Sequence, residues 1–123
     1  MTPIGRLTVI TLDCLDPDSL ARFYADLTGW PVDPDDEGKD WVELVADGAV
    51  TIAFQHAPGY RPPRWPSDEH PQQLHMDFDV PDLDEGERRV LKIGARKAEV
   101  QPGTTFRVYL DPAGHPFCLV LAS

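Results

Sequence analysis

His75 and Asp77 stand two residues apart in the run Leu74-His75-Met76-Asp77-Phe78-Asp79-Val80. Apolar and polar residues alternate there with the period of a half-buried β-strand, so His75 and Asp77 emerge on one face. An imidazole beside a carboxylate is the make-up of a general base, because the carboxylate orients the ring and stabilises its charged form. The same alternation in other strand-like runs offers more groups for that face. Trp41 and Glu43 alternate with Val42 and Leu44, and Gln55 alternates with Phe54 and Ile52. Arg107 and Tyr109 alternate with Phe106, Val108 and Leu110, and Cys118 alternates with Phe117 and Leu119. With Trp65 on a loop, these residues give apolar walls and sparse orienting groups, the usual composition of a small-molecule pocket. The predicted ligand-binding set is therefore Trp41, Glu43, Gln55, Trp65, His75, Asp77, Arg107, Tyr109 and Cys118, with His75 as the candidate catalytic base.

Each of these residues also has a plain structural reading. A strand histidine can serve only as a hydrogen-bonding group, and Trp41 and Tyr109 can fill a core or a subunit interface. Arg107 with Glu43 or Asp77 would be a cross-strand ion pair worth under ~1 kcal/mol. Cys118 reads as an inert buried thiol before it reads as a nucleophile. His56, His70 and His75 do not make a zinc cluster, because Pro71 and the strand start aim His70 and His75 differently. The acidic loop 33–38 is not a calcium loop either. An EF-hand beginning at Asp33 needs a bidentate Glu in twelfth place, where the chain has Leu44.

The elements that must position these groups occur twice. Ile10-Thr11-Leu12-Asp13-Cys14 leads through Asp16-Pro17-Asp18 into a helical pattern ending at Gly29, and Met76-Asp77-Phe78-Asp79-Val80 leads through Pro81-Asp82 into a second, ending at Gly94. Such self-similarity marks a repeated structural unit. Strand 7–14 is followed by a helix capped near Asp16, with Leu20, Phe23, Tyr24 and Leu27 on its buried face. A short strand at 30–33 and strands 41–46 and 50–56 follow, the last two joined at Asp47-Gly48, a hairpin-turn signal. The stretch 58–72 holds Pro58, Pro62, Pro63, Pro66 and Pro71, which cannot sustain a sheet ladder. Beyond it come strand 74–80, a helix capped by Asp82 and running to Ile93, and strands 97–100, 105–110 and 117–121. The predicted architecture is α+β. Tandem βαβββ modules form a cupped, incompletely closed mixed sheet in one domain over 1–123, with module one at 1–57, a Pro-rich join at 58–72 and module two at 73–123.

Composition narrows the partners. At 123 residues with 41% hydrophobic content, the chain can bury a core. A net charge of −10 lacks the basic footprint of a nucleic-acid binder. No apolar run approaches the length of a membrane span, and no export signal is legible at the N-terminus. The expectation is a cytoplasmic protein with Cys14 and Cys118 reduced.

The whole chain resembles the vicinal oxygen chelate superfamily, which includes glyoxalase I, extradiol dioxygenases and bleomycin-resistance proteins. The resemblance rests on LDCLDPDSLARFYADLTGW, FQHAPGYRPPRWP, HPQQLHMDFDVPDLD and DPAGHPFCLVL, and is nearest to the actinobacterial glyoxalase-like domain group. It implies paired modules cupping a cleft, usually in a homodimer, and in enzyme members a metal with ligands on the first and fourth strand of each module. Those positions fall on Val9, Gln55, His75 and Cys118. Val9 cannot ligate and Gln55 is a weak donor, so neither a metal nor another cofactor is expected; a divalent metal, if bound, would fall to His75, Gln55 and Cys118. Three functions stay open. The first is a small-molecule binder of the drug-sequestering type. The second is a metal-dependent lyase, isomerase or dioxygenase using His75, with proton abstraction beside a carbonyl as the chemistry the resemblance implies. The third is an interaction module with a filled cleft.

Overall fold

The computed structural model describes residues 3–67 and 69–122. The chain divides into two compact units, Met1–Tyr60 and Arg61–Ser123, with the division inside the proline-rich stretch. Each unit follows the order expected from the repeat.

In the first unit, β1 (Val9–Cys14) enters α1 (Pro17–Thr28). The Asp16 side chain accepts from the Ser19 N–H at 3.2 Å and Pro17 occupies the first turn, so the helix begins where the turn chemistry demands. It ends at Gly29, whose φ of +79° is the left-handed conformation of a helix C-cap. A single 3-10 turn at Pro34–Asp36, then β2 (Trp41–Glu43) and β3 (Thr51–His56), complete the unit. The short strand expected at 30–33 is reduced to one bridge, Val32 to Leu44. The sheet order is β1-β3-β2, with β1 parallel and β2 antiparallel to β3. Register places Leu12, Val42 and Phe54 in one row, and Tyr24 of α1 stacks on Phe54 at 5.6 Å. Leu20, Ala21, Phe23 and Tyr24 are all buried on the helix. The helix thus lies on the apolar face of its sheet. Val9, Thr11, Trp41, Glu43, Thr51, Ala53 and Gln55 belong to the opposite face.

The second unit runs β4 (Met76–Val80), α2 (Leu83–Lys92), β5 (Arg96–Lys97), β6 (Phe106–Leu110) and β7 (Pro116–Leu121). Its sheet order is β4-β7-β6-β5, with β4 parallel to β7 and the other pairs antiparallel. Asp82 caps α2 by accepting from the Glu85 N–H at 3.0 Å. Gly86 lets the helix approach the sheet closely: a Cβ there would sit 3.1 Å from Leu119 and 3.4 Å from Val80. Phe117 anchors the helix-side core, edge-on to Phe78 and stacked with Tyr109 at 5.7 Å. The second unit is βαβββ and the first is βαββ with the Val32 bridge where the missing strand would lie, together an α+β fold of two helices and two open mixed sheets.

Candidate functional site

The parallel pair β4–β7 brings the chemistry together. Register sets Asp77 opposite Cys118, and His75 precedes Asp77 by one alternation, on the same face. His75 Nε2 lies 3.3 Å from Asp77 Oδ1, both side chains about half exposed. A donor atom from each of His75, Asp77 and Cys118 lies within 4.8 Å of the other two. Cys118 is 7% exposed, because β7 is flanked by β4 and β6 in its sheet. Burial, then the charge of Asp77 and its hydrogen bond with the thiol, push the Cys118 thiol up to about 11. At neutral pH it is a protonated, weakly reactive thiol, in line with its inert reading. His75 beside Asp77 has the geometry of an oriented base.

Two members of the predicted set are placed elsewhere. Arg107 and Tyr109 were expected on the face of His75, but register pairs Arg107 with Leu119 and Tyr109 with Phe117, the row beneath α2. Val108 is the residue paired with Cys118. Arg107 donates to Asp84 Oδ1 at 2.9 Å and also lies 3.5 Å from Glu87, not beside Glu43 or Asp77 as a cross-strand pair. The Tyr109 hydroxyl donates to Glu87 Oε1 at 2.9 Å, and Lys97 Nζ reaches the same oxygen at 3.0 Å. Burial opposes the charge on Glu87, yet the hydrogen bonds from Lys97 and Tyr109 outweigh it and hold the carboxyl below its ordinary value. Burial and the bond to Glu87 raise the Tyr109 phenol far above its ordinary range. Arg107 and Tyr109 thus tie the helix to its sheet. Sequence reasoning missed this because it weighed apolar content alone. The signal was Asp84 and Glu87, three apart on α2 and able to face a cationic strand.

In the first unit, Trp41, Glu43 and Gln55 share the face away from α1, as expected. The Trp41 indole donates to Glu43 Oε2 at 3.1 Å, which fixes both side chains along the strand. Trp65 is half-buried in the proline-rich stretch, ahead of a cis bond to Pro66.

The implied metal ligands can be tested against register. Met76 pairs with Phe117 as Ile10 pairs with Ile52. The counterparts of His75, Asp77 and Cys118 in the first unit are then Val9, Thr11 and Ala53. Gln55 pairs with Asp13 and so matches Val120, one alternation beyond the position of Cys118. Neither Val9 nor Ala53 carries a donor, so the first unit does not fit the ligand pattern of metal-dependent members. The second unit offers an imidazole, a carboxylate and a thiol. That set suits a borderline-soft ion and is a poor cage for Mg²⁺ or Ca²⁺.

Residues 9–120 match the family described as Glyoxalase-like domain. The chain belongs to that family. It is thereby a member of the vicinal oxygen chelate superfamily, and solved structures agree with its fold. A glyoxalase/bleomycin resistance protein/dioxygenase family enzyme from Burkholderia phytofirmans PsJN is 16% identical, with a TM-score of 0.71 over 94% of this chain and 97% of that one. The fosfomycin resistance protein FosX from Mesorhizobium loti is 18% identical, with a TM-score of 0.69 over 98% and 94%. The oxidase ChaP-H2 is 20% identical, with a TM-score of 0.66 over 98% and 96%. No curated protein matches the chain by sequence. Among the described residues of this glyoxalase-like chain, no helix is long and apolar enough to cross a membrane.

Proposed function

We propose that the chain is a small-molecule-binding glyoxalase-like protein whose ligand meets the sheet face turned away from α2, where His75 and Asp77 are presented. The observation that carries this reading is the cluster itself. A half-exposed imidazole and carboxylate 3.3 Å apart sit beside the nearly buried Cys118 and, on the same face, the buried Val108. Sparse polar groups on an apolar floor orient a small organic ligand. In the first unit, the same reading gives the ligand-facing role to Trp41, Glu43 and Gln55. The names of the structural neighbours span a resistance protein and an oxidase, so fold alone selects no chemistry. In this reading the protein is a cytoplasmic homodimer with no nucleic-acid or membrane partner, and its charge of −10 supports excluding nucleic acid.

A second reading, a metal-dependent lyase, isomerase or dioxygenase, is favoured by the three donor atoms of His75, Asp77 and Cys118. The experiment for the first reading is a thermal-shift screen of aromatic and cationic compounds in chelator-containing buffer. A ligand at about a hundred times its dissociation constant adds ~2.7 kcal/mol, a readily visible shift. The expected result is saturable stabilisation that is lost in His75→Ala and in Asp77→Ala. A screen without any saturable hit, or hits indifferent to both substitutions, defeats the binding reading.

A further inference from the structure

We propose that Trp41 and Glu43, on the face of the first sheet turned away from α1, form a site for a small organic cation carrying a substituted ammonium group. The inference rests on the small-molecule-binding reading for the ligand-facing role of these strands, and it names the ligand class that the first unit takes.

The site begins with one hydrogen bond. Trp41 and Glu43 flank the buried Val42 on β2 and share the face opposite it. The Trp41 indole N–H donates to Glu43 Oε2 at 3.1 Å, which holds the ring beside the carboxylate. Both residues are half-buried. The face of an indole ring attracts a cation more strongly than that of any other aromatic side chain. The carboxylate at its edge adds a full negative charge. A substituted ammonium needs both, apolar contact for its alkyl groups and a negative field for its nitrogen.

Charge pairing sets this carboxylate apart. Glu87, also partly buried, is matched by Lys97 at 3.0 Å and by Arg107 at 3.5 Å. Among the described residues Glu43 has no ion-pair partner, and β1, β2 and β3 carry no Lys or Arg. Neighbouring groups deepen the negative field. Asp36 Oδ2 accepts from the Glu43 N–H at 3.1 Å. Asp13 stands on the same face, in register with Gln55, which itself pairs with Trp41. A half-buried carboxylate without a counter-charge is a cost to the fold, and a bound cation offsets it. The net charge of −10 attracts cations from further away. A metal ion is the poorer occupant, because the indole ring offers it no donor atom.

The test is an NMR titration of isotope-labelled full-length protein with choline, in chelator-containing buffer, followed at the indole N–H signals of the three tryptophans. Trp41→Phe identifies the Trp41 signal by its loss. The expected result is a saturable shift of that signal. The uncharged isostere of choline, with a tert-butyl group in place of trimethylammonium, should bind about two- to fivefold more weakly, the contribution of an exposed cation–π contact. Glu43→Gln keeps an acceptor for the indole and removes the charge, so it should raise the choline Kd by about two- to fivefold. Trp41→Leu, followed at the backbone signals of β2 and β3, should do the same; those signals also show that each variant is folded. The proposal is overturned by the absence of a saturable shift, by equal affinity for choline and its isostere, by an unchanged Kd in Glu43→Gln, or by an equal shift with Na⁺, which would make the face a surface for any counterion. The His75 face is read separately. Thermal-shift hits lost in His75→Ala, with no choline shift at Trp41, would sink only this site. A choline shift without such hits would sink only the ligand site at His75.

Discussion

The two units use one topology and hold it together differently. In the first, α1 buries Leu20, Ala21, Phe23 and Tyr24, and the Tyr24 ring lies nearly parallel to Phe54. In the second, α2 buries only Val90 and is fastened by Asp84 and Glu87 to Arg107, Tyr109 and Lys97. The faces turned from the helices differ in the opposite sense. Val9, Thr11 and Ala53 occupy the first unit's positions where the second carries His75, Asp77 and Cys118. The same helix-on-sheet outline recurs in both units, while the donor-rich chemistry resides in one. The contrast teaches that sheet register, more than residue type along a strand, decides which groups can act together.

The sharpest way to break the comparison is to damage the second unit's helix-side core while leaving its other face alone. Phe117 is fully buried and meets both Phe78 and Tyr109. Phe117→Ala should cost about 3–5 kcal/mol, the transfer and cavity penalty of a core aromatic. His75→Ala, at a half-exposed position, should change stability by within about 0.5 kcal/mol. Denaturant melts of the two variants check this. A comparable loss in both would mean that His75 is a structural residue and that the two faces are not separable.

The same contrast shows what was legible beforehand. The repeat, both capped helices, the glycine stops and the hairpin at Asp47-Gly48 are local signals, written in residues a few positions apart. They located every strand to within a few residues. The face of β4 was legible too, because His75 and Asp77 alternate with Met76 and Phe78. The face of β6 was not. Arg107 and Tyr109 look outward by hydropathy, yet they face α2, where Asp84 and Glu87 meet their polar groups and Phe117 stacks on the Tyr109 ring, a complementarity between separate elements. The match of Ala53, rather than Gln55, to Cys118 likewise depends on pairing between strands. A single strand carries no mark of its partner's register.

A second prediction sharpens the register argument. Ala53 is 0% exposed and takes the place in the first unit that Cys118 takes in the second. If the two units were interchangeable there, a sulfur would be accommodated. Ala53→Cys should instead overpack a closed position and cost about 1–3 kcal/mol. Urea unfolding measures it. A neutral or stabilising result would show that the first unit can accept the second unit's chemistry at that point, and the difference between the faces would then be one of sequence alone.

The smallest expected effect probes the charged fastening of α2. Glu87 is the shared partner of Lys97, Arg107 and Tyr109, with about a quarter of its side chain exposed. Glu87→Gln keeps an acceptor for the Tyr109 hydroxyl and removes the charge facing Lys97 and Arg107, so it should cost about 0.5–1 kcal/mol near neutral pH. The sign with pH follows from the lowered carboxyl. Unfolded, Glu87 titrates near the ordinary 4.5; folded, it titrates below that. Its charge therefore stabilises the fold fully above that ordinary value, and the contribution is lost as pH falls through the folded one. Stability curves of the parent and of Glu87→Gln should run parallel above pH ~5 and converge in acid. In the first unit Phe54 meets Tyr24 ring on ring, so trimming Phe54 should open a gap that acid does not close. If the Glu87→Gln gap also survived to strongly acidic pH, the second helix would be held by shape, as the first is, and the distinction between the two fastenings would be lost.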